Sequence, residues 1–208
     1  MARTRQILTL SAIAAVAALG AGAAWMLGGA SDDAFAQCRG SQVAGGDIGG
    51  PFTLVNGDGE TVTDADVITE PSLIYFGYTY CPDVCPLDTA RNALAVDLLA
   101  ERGMSATPIF ISVDPARDTP DVMDAFAENM HERMIGLTGS PEQVRAASRA
   151  YKTYYNAHDE DGDPYYLVDH STFTYLVLPD HGFVEFFRRE TSPEEMADTV
   201  ACYISAAT

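Results

Sequence analysis

Positive charge is scarce in this chain: 12 Lys+Arg stand against 30 Asp+Glu, giving a net charge of −18 over 208 residues. Nucleic-acid and anionic-membrane binders need clustered cations, so this balance argues against both. It leaves cationic partners, metal ions included, and plain solubility as uses for the acids. Internal repeats and low-complexity tracts are missing outside one N-terminal apolar stretch. That stretch, Ile7 to Leu27, carries no charge. At ~1.5 Å per residue it matches a bilayer core of ~30 Å, and it exceeds the signal-peptide apolar region of about 7–15 residues. Arg3 and Arg5 precede it, so residues 1–6 are expected in the cytoplasm and the rest of the chain on the far side of a membrane. We read residues 7–27 as an anchor or uncleaved signal; cleavage near Ala34-Phe35-Ala36 is the alternative. Both readings put the folded part in the periplasm or an equivalent space.

Residues 28–47, with several glycines and Asp32-Asp33, read as a tether to a domain over 48–208. Roughly 170 residues suffice for one α/β domain with a sizeable core. Phe52–Val55 and Glu60–Thr63 flank Asn56-Gly57-Asp58-Gly59, a hairpin signal in which Asn and Gly supply positive φ. Ser72–Tyr78 and Pro108–Val113 are apolar enough for strands buried on both faces. Leu87, Ala90, Leu94 and Leu98 recur at helical spacing until Gly103, a left-handed C-cap. Thr119-Pro120-Asp121, Ser140-Pro141-Glu142 and Ser192-Pro193-Glu194 are three helix starts of one kind. An acidic loop, Asn156 to Pro164, precedes a strand pair, Thr172–Leu178 and Phe183–Phe187, joined by Pro179-Asp180-His181-Gly182. A three-layer α/β/α sandwich with a central mixed sheet satisfies this order.

Chemistry concentrates at Cys81-Pro82-Asp83-Val84-Cys85-Pro86, where Leu73-Ile74-Tyr75-Phe76 gives way to the helical pattern. Thiolates at a helix N-terminus can ligate a soft metal or close a disulfide. Three residues separate the cysteines, one more than in a thioredoxin-type redox pair, and i and i+4 project to one side of a helical turn. Pro86 lacks an N–H and fits N1 best, with residues 81–85 as a loop or single turn. A structural Cys81–Cys85 disulfide is the alternative. Met130, His131 and Met134 read as packing with a polar cap. His158 with Asp159, Glu160, Asp161 and Asp163 lacks EF-hand spacing and reads as a solvated acidic surface. His181 reads as a turn residue. Cys38 and Cys202 stand at opposite ends of the domain, in an oxidising compartment where free thiols are a liability. A Cys38–Cys202 disulfide is expected, with separate buried or intermolecular thiols as the alternative.

Several blocks together resemble the Sco (SenC) family over roughly residues 48–204. They are Tyr75 to Tyr80, the cysteine motif, Ser112-Val113-Asp114-Pro115 with Arg117-Asp118-Thr119-Pro120, and Val168-Asp169-His170. The family has membrane-anchored, thioredoxin-like proteins that bind copper and help assemble the CuA site of cytochrome c oxidase. Ala116 stands where the family usually has Glu, and His181 intervenes where Gly usually follows Pro-Asp. The resemblance implies Cys81, Cys85 and His170 as copper ligands, and a soft set of two thiolates and an imidazole suits Cu(I), or Cu(II) with further N/O donors. Asp83 and Asp169 are candidates for tuning the site from behind the ligands.

The expected function is a copper metallochaperone, carrying one copper per chain, for subunit II of the oxidase, with another periplasmic copper chaperone as a further partner. The rival is a thiol-disulfide oxidoreductase using Cys81 as nucleophile and Cys85 as resolving thiol; the others are a copper or redox sensor and a peroxidase.

Overall fold

The computed structural model describes residues 34–40, 47–159 and 162–207. The expected anchor, residues 7–27, and most of the tether lie outside the described residues; among the described residues no helix is long and apolar enough to cross a membrane. The chain divides into two units, Met1–Gln37 and Cys38–Thr208. The second holds all the elements below.

A short hairpin opens it: β1 (Thr53–Val55) pairs antiparallel with β2 (Thr61–Thr63), and α1 (Asp64–Val67) follows. In the turn, Gly59 takes φ +77° while Asn56 caps with its side chain, accepting from the Glu60 N–H at 2.8 Å. Gly57 has no positive φ; a Cβ there would lie 2.6 Å from Asp124 Oδ1, so the glycine serves close approach instead.

The central sheet runs β5 (Ile135–Leu137), β4 (Thr107–Ser112), β3 (Ser72–Gly77), β8 (Thr174–Leu178), β9 (Gly182–Phe187). β3, β4 and β5 are parallel, and β8 and β9 run antiparallel to their neighbours. Every residue of β3 and β4 is buried, as their largely apolar character requires when both faces are covered. The connections β3 to β4 and β4 to β5 both step the same way across the sheet. Right-handed crossovers therefore put α2 (Val84–Glu101) and α3 (Pro120–Met130) on one face. On that face the Tyr75 hydroxyl reaches Asp88 of α2 at 3.0 Å and Phe110 packs on Phe126 of α3. The C-terminal helix α5 (Pro193–Ala206) packs on α2. Phe76, on the other face, meets Tyr151 at the end of α4 (Pro141–Ala150), which also packs on Phe52.

Ser140 and Ser192 close capping boxes with Gln143 and Glu195. Thr119 is an N-cap whose side chain makes no cap bond. α2 departs from expectation twice. It starts at Val84, so Pro86 sits inside its first turn rather than at N1. Its periodic leucines face outward: Leu87 and Leu94 are 61% and 53% exposed, whereas Asp88, Arg91 and Asn92 are buried. A polar network joins the buried Ala95, Val96 and Leu99 there, with Arg91 bonded to Asp88, Thr174 and the Arg188 carbonyl.

Three short elements were hidden in the sequence, α1 and the strands of a small sheet. β6 (Tyr155–Ala157) and β7 (Val168–His170) form a separate two-stranded sheet at the two ends of the acidic loop, with Tyr155 opposite His170. Cys38 and Cys202 are bonded to each other, Cα atoms 5.6 Å apart, and Cys81 and Cys85 are free thiols.

Candidate metal centre

The end of β3, the N-terminus of α2 and the end of β7 meet at three donors. The Sγ atoms of Cys81 and Cys85 and a ring nitrogen of His170 all lie within 4.8 Å of one another. Cys85 is fully buried, Cys81 nearly so, and His170 half-buried. Gly77 makes this convergence sterically possible, because a Cβ on it would stand 3.0 Å from Cys85 Sγ and 2.9 Å from atoms of Phe110 and Tyr75.

Cys85 Sγ lies 3.2 Å from His170 Nε2, and the Cys85 backbone N–H donates to Cys81 Sγ at 3.3 Å. His170 Nδ1 lies 2.9 Å from the Ser171 carbonyl oxygen. A carbonyl only accepts, so Nδ1 carries a proton there, and Nε2 is the ring nitrogen that faces the sulfurs. Edge contacts from Tyr75 and Tyr78, ring centroids 6.1 and 5.8 Å away, flank the imidazole.

The two thiols are unequal. Hydrogen bonds from the Cys85 thiol, then from His170 and the backbone N–H groups of Asp83 and Cys85, hold the Cys81 pKa far below the ordinary thiol value against the opposing cost of burial. The shared proton and burial drive Cys85 the other way. The pair thus keeps one proton, on the deeper sulfur. Two such sulfurs and an imidazole nitrogen form a soft donor set, fit for a thiophilic metal or, without metal, for thiol-disulfide exchange.

Asp83 reaches the centre through its backbone N–H rather than its exposed carboxylate. Asp169, facing away from His170 on β7, pairs with His158 at 2.9 Å. His131 is occupied on both nitrogens, by Asp97 and by the Arg133 N–H, and Met134 packs against the core. His181 sits in the β8–β9 turn.

A family model described as SCO1/SenC matches residues 41–205. The chain belongs to the SCO1/SenC family. Protein SenC of Rhodobacter capsulatus is 57% identical over 194 residues, covering 93% of this chain and 87% of that protein. The crystal structure of Arabidopsis thaliana ScoI with copper bound matches at 39% identity and TM-score 0.70, over 76% of this chain and 99% of that one. BsSco, a member of the Sco family of cytochrome c oxidase assembly proteins with a disulfide switch, matches at 28% identity and TM-score 0.60, over 76% and 92%. The resemblance read from the motifs is thus borne out, and the mixed sheet with its helices is the Sco-type, thioredoxin-like fold.

Sequence reasoning left most of the Sco site's bracing unassigned. Asp118 is buried, accepts from the Thr79 N–H, the Thr79 hydroxyl and the Ser112 hydroxyl, and so fixes the segment entering Cys81. Burial raises its pKa in spite of those bonds. Tyr78 Oη accepts from the Val168 N–H at 3.3 Å, joining that segment to β7. Asp114, Arg117 and Tyr166 form a second bridge. The signal was present, since Asp114, Arg117 and Asp118 lie inside the Ser112 to Pro120 block that marks the family.

Proposed function

We propose that this Sco protein is a copper metallochaperone. It binds one copper, as Cu(I) or Cu(II), through Cys81, Cys85 and His170. It then delivers the metal to, or prepares, the CuA site of cytochrome c oxidase subunit II. The observation that carries the reading is the convergence of two sulfurs and an imidazole nitrogen within 4.8 Å. The copper-bound ScoI relative supports it. Delivery is a ligand exchange in which acceptor thiolates replace Cys81, Cys85 and His170 in turn, and the oxidation state of the metal need not change. An anchor over residues 7–27 and a tether over 28–47 would hold the domain at the periplasmic membrane surface beside its partner, with another periplasmic copper chaperone as the source of metal.

The test is a copper titration of the reduced chain. We expect one copper per chain, with sulfur-to-copper charge-transfer bands in the Cu(II) form. Cys81→Ser and Cys85→Ser should lose that site, and His170→Ala should weaken it and stop oxidase maturation under copper limitation. Undiminished stoichiometry and spectra in the Ser variants would sink the ligand assignment.

The second reading is reduction of the oxidase cysteines, and the inequality of the two thiols favours it. Cys81 is held as thiolate and Cys85 as thiol, the division of labour between nucleophile and resolving group. The Sco relative BsSco has a disulfide switch, which supports a redox use of such proteins. His170 separates the two readings, because disulfide exchange needs no imidazole. Normal CuA assembly in His170→Ala cells would favour reduction over delivery.

A further inference from the structure

The donors come from two separately built parts. Cys81 and Cys85 are tied to the central sheet through β3 and α2, but His170 ends a strand whose ladder partner among the described residues is β6. The backbone ladder of the central sheet therefore does not set the distance from imidazole to sulfur. Beyond the three-residue link from His170 to β8 and the bond from the Val168 N–H to Tyr78 Oη, side chains between the two parts must set it.

Arg117 stands there. Its Nε bonds Asp114 Oδ2 at 2.5 Å, and its Nη1 donates to the Pro164 carbonyl at 3.2 Å in the loop that leads to β7. Its guanidinium carbon lies 3.5 Å from the ring centroid of Tyr166, in the same loop, and 4.7 Å from that of Tyr80, the residue before Cys81. Tyr78 is 5.7 Å away on the same grip. Asp114 closes the arrangement by accepting from the Tyr166 hydroxyl at 2.6 Å. The Arg117 side chain is only 11% exposed, and its Nη2 is buried without a hydrogen-bond partner. The guanidinium is thus held by two oxygen atoms through Nε and Nη1 and by ring faces, with Nη2 left to the rings, so its hold depends on a flat cation.

We propose that Arg117 is a positioning residue for the metal centre. By stacking on the rings of Tyr166 and Tyr80 it fixes the β7 strand, and with it His170, against the Cys81–Cys85 turn. This rests on the copper reading for its affinity consequence, though not for its geometry. Outer partners that orient ligands carry about 10–100-fold in metal affinity, and Arg117 should act on that scale through His170 alone.

The experiment is a double-mutant cycle on the full reduced chain with Arg117→Ala, His170→Ala and both together. Cu(I) affinity is read by chelator competition, the Cu(II) charge-transfer spectrum is recorded, and the ring-nitrogen NMR signals of His170 are followed in the metal-free protein. We expect Arg117→Ala to lower affinity by ~10–100-fold, to move the spectrum toward that of His170→Ala, and to shift the His170 signals. Added to His170→Ala, it should cost nothing further. Tyr166→Leu, which keeps the charge and removes the ring, should behave like Arg117→Ala. Arg117→Lys should recover little, since a point charge does not stack.

Equal losses with and without His170, or unchanged His170 signals in Arg117→Ala, would overturn the proposal. Shifted His170 signals in a chain that binds no copper would instead remove the copper reading and leave the brace standing.

Discussion

Cys85 Sγ and His170 Nε2 lie 3.2 Å apart although 85 residues separate them in the chain. The contact joins the thiol that keeps the pair's proton to the ring nitrogen that faces the sulfurs. Cys81, on the other side, is left as the thiolate.

Alkylation of the metal-free, reduced chain should reflect that division. For a depressed pKa the reactive thiolate is already fully present at neutral pH, so Cys81 should react with iodoacetamide at a rate that stays flat well below pH 7. Cys85 should resist until strongly alkaline pH, or until Cys81 is blocked. Mass spectrometry of peptides quenched across the pH range reads both. Two thiols that switch on together near the ordinary value of 9.0 would contradict the shared-proton arrangement.

Gly77→Ala should injure the site from beneath. The added methyl has no room beside Cys85 Sγ, Phe110 and Tyr75, and overpacking of this kind costs about 1–3 kcal/mol. A urea unfolding curve should show that loss, together with faster alkylation of Cys85. Unchanged stability and reactivity would mean that the strand yields more easily than its buried setting implies.

Removal of the Cys38–Cys202 bridge by Ser at both positions should leave the dithiol chemistry intact and lower stability. Its sequence separation is 164 residues. For a loop of this length the chain-entropy treatment gives about 5 kcal/mol, with native strain able to reduce it. Thiol counting on the unreduced, denatured parent should find two reactive groups, Cys81 and Cys85. Four would show that the bridge does not form.

Stability should also fall in acid through Glu70. Burial opposes its ionisation, but hydrogen bonds from Ser105, Thr107 and Arg133 and the Arg133 charge outweigh that cost and hold the carboxyl below its usual 4.5. A depressed carboxylate stabilises the fold above its unfolded pKa and loses that contribution as pH falls through the folded one. The gap in urea midpoint between parent and Glu70→Gln should therefore be widest above about pH 4.5 and shrink below it. A constant gap from pH 7 to pH 3 would assign the effect to packing.

Much of the fold was legible because its signals are local. Ser140 and Ser192 start helices where Ser-Pro-Glu stands, and Gly103 takes φ +73° just past α2. The cysteine motif was legible as a site for the same reason. What escaped depends on contacts between distant segments. The outward face of α2 could not be read from Leu87 and Leu94, since it is set by Arg91 reaching Thr174 and the Arg188 carbonyl across the fold. β6 and β7, three residues each and mixed in polarity, carry no period a short window can detect. Arg117 was visible as part of a motif, but its role appears only once the rings of Tyr80 and Tyr166 are seen against its guanidinium.

The covalent bridge has a consequence for a damaged chain. Cys81, Cys85 and His170 all fall between Cys38 and Cys202 in sequence. Proteolytic nicking in the loop between β6 and β7 would sort the donors onto different peptides, two sulfurs on one and the imidazole on the other. The bridge would keep those peptides in a single molecule. A nicked protein could thus retain a complete donor set, migrating as one species until reductant divides it.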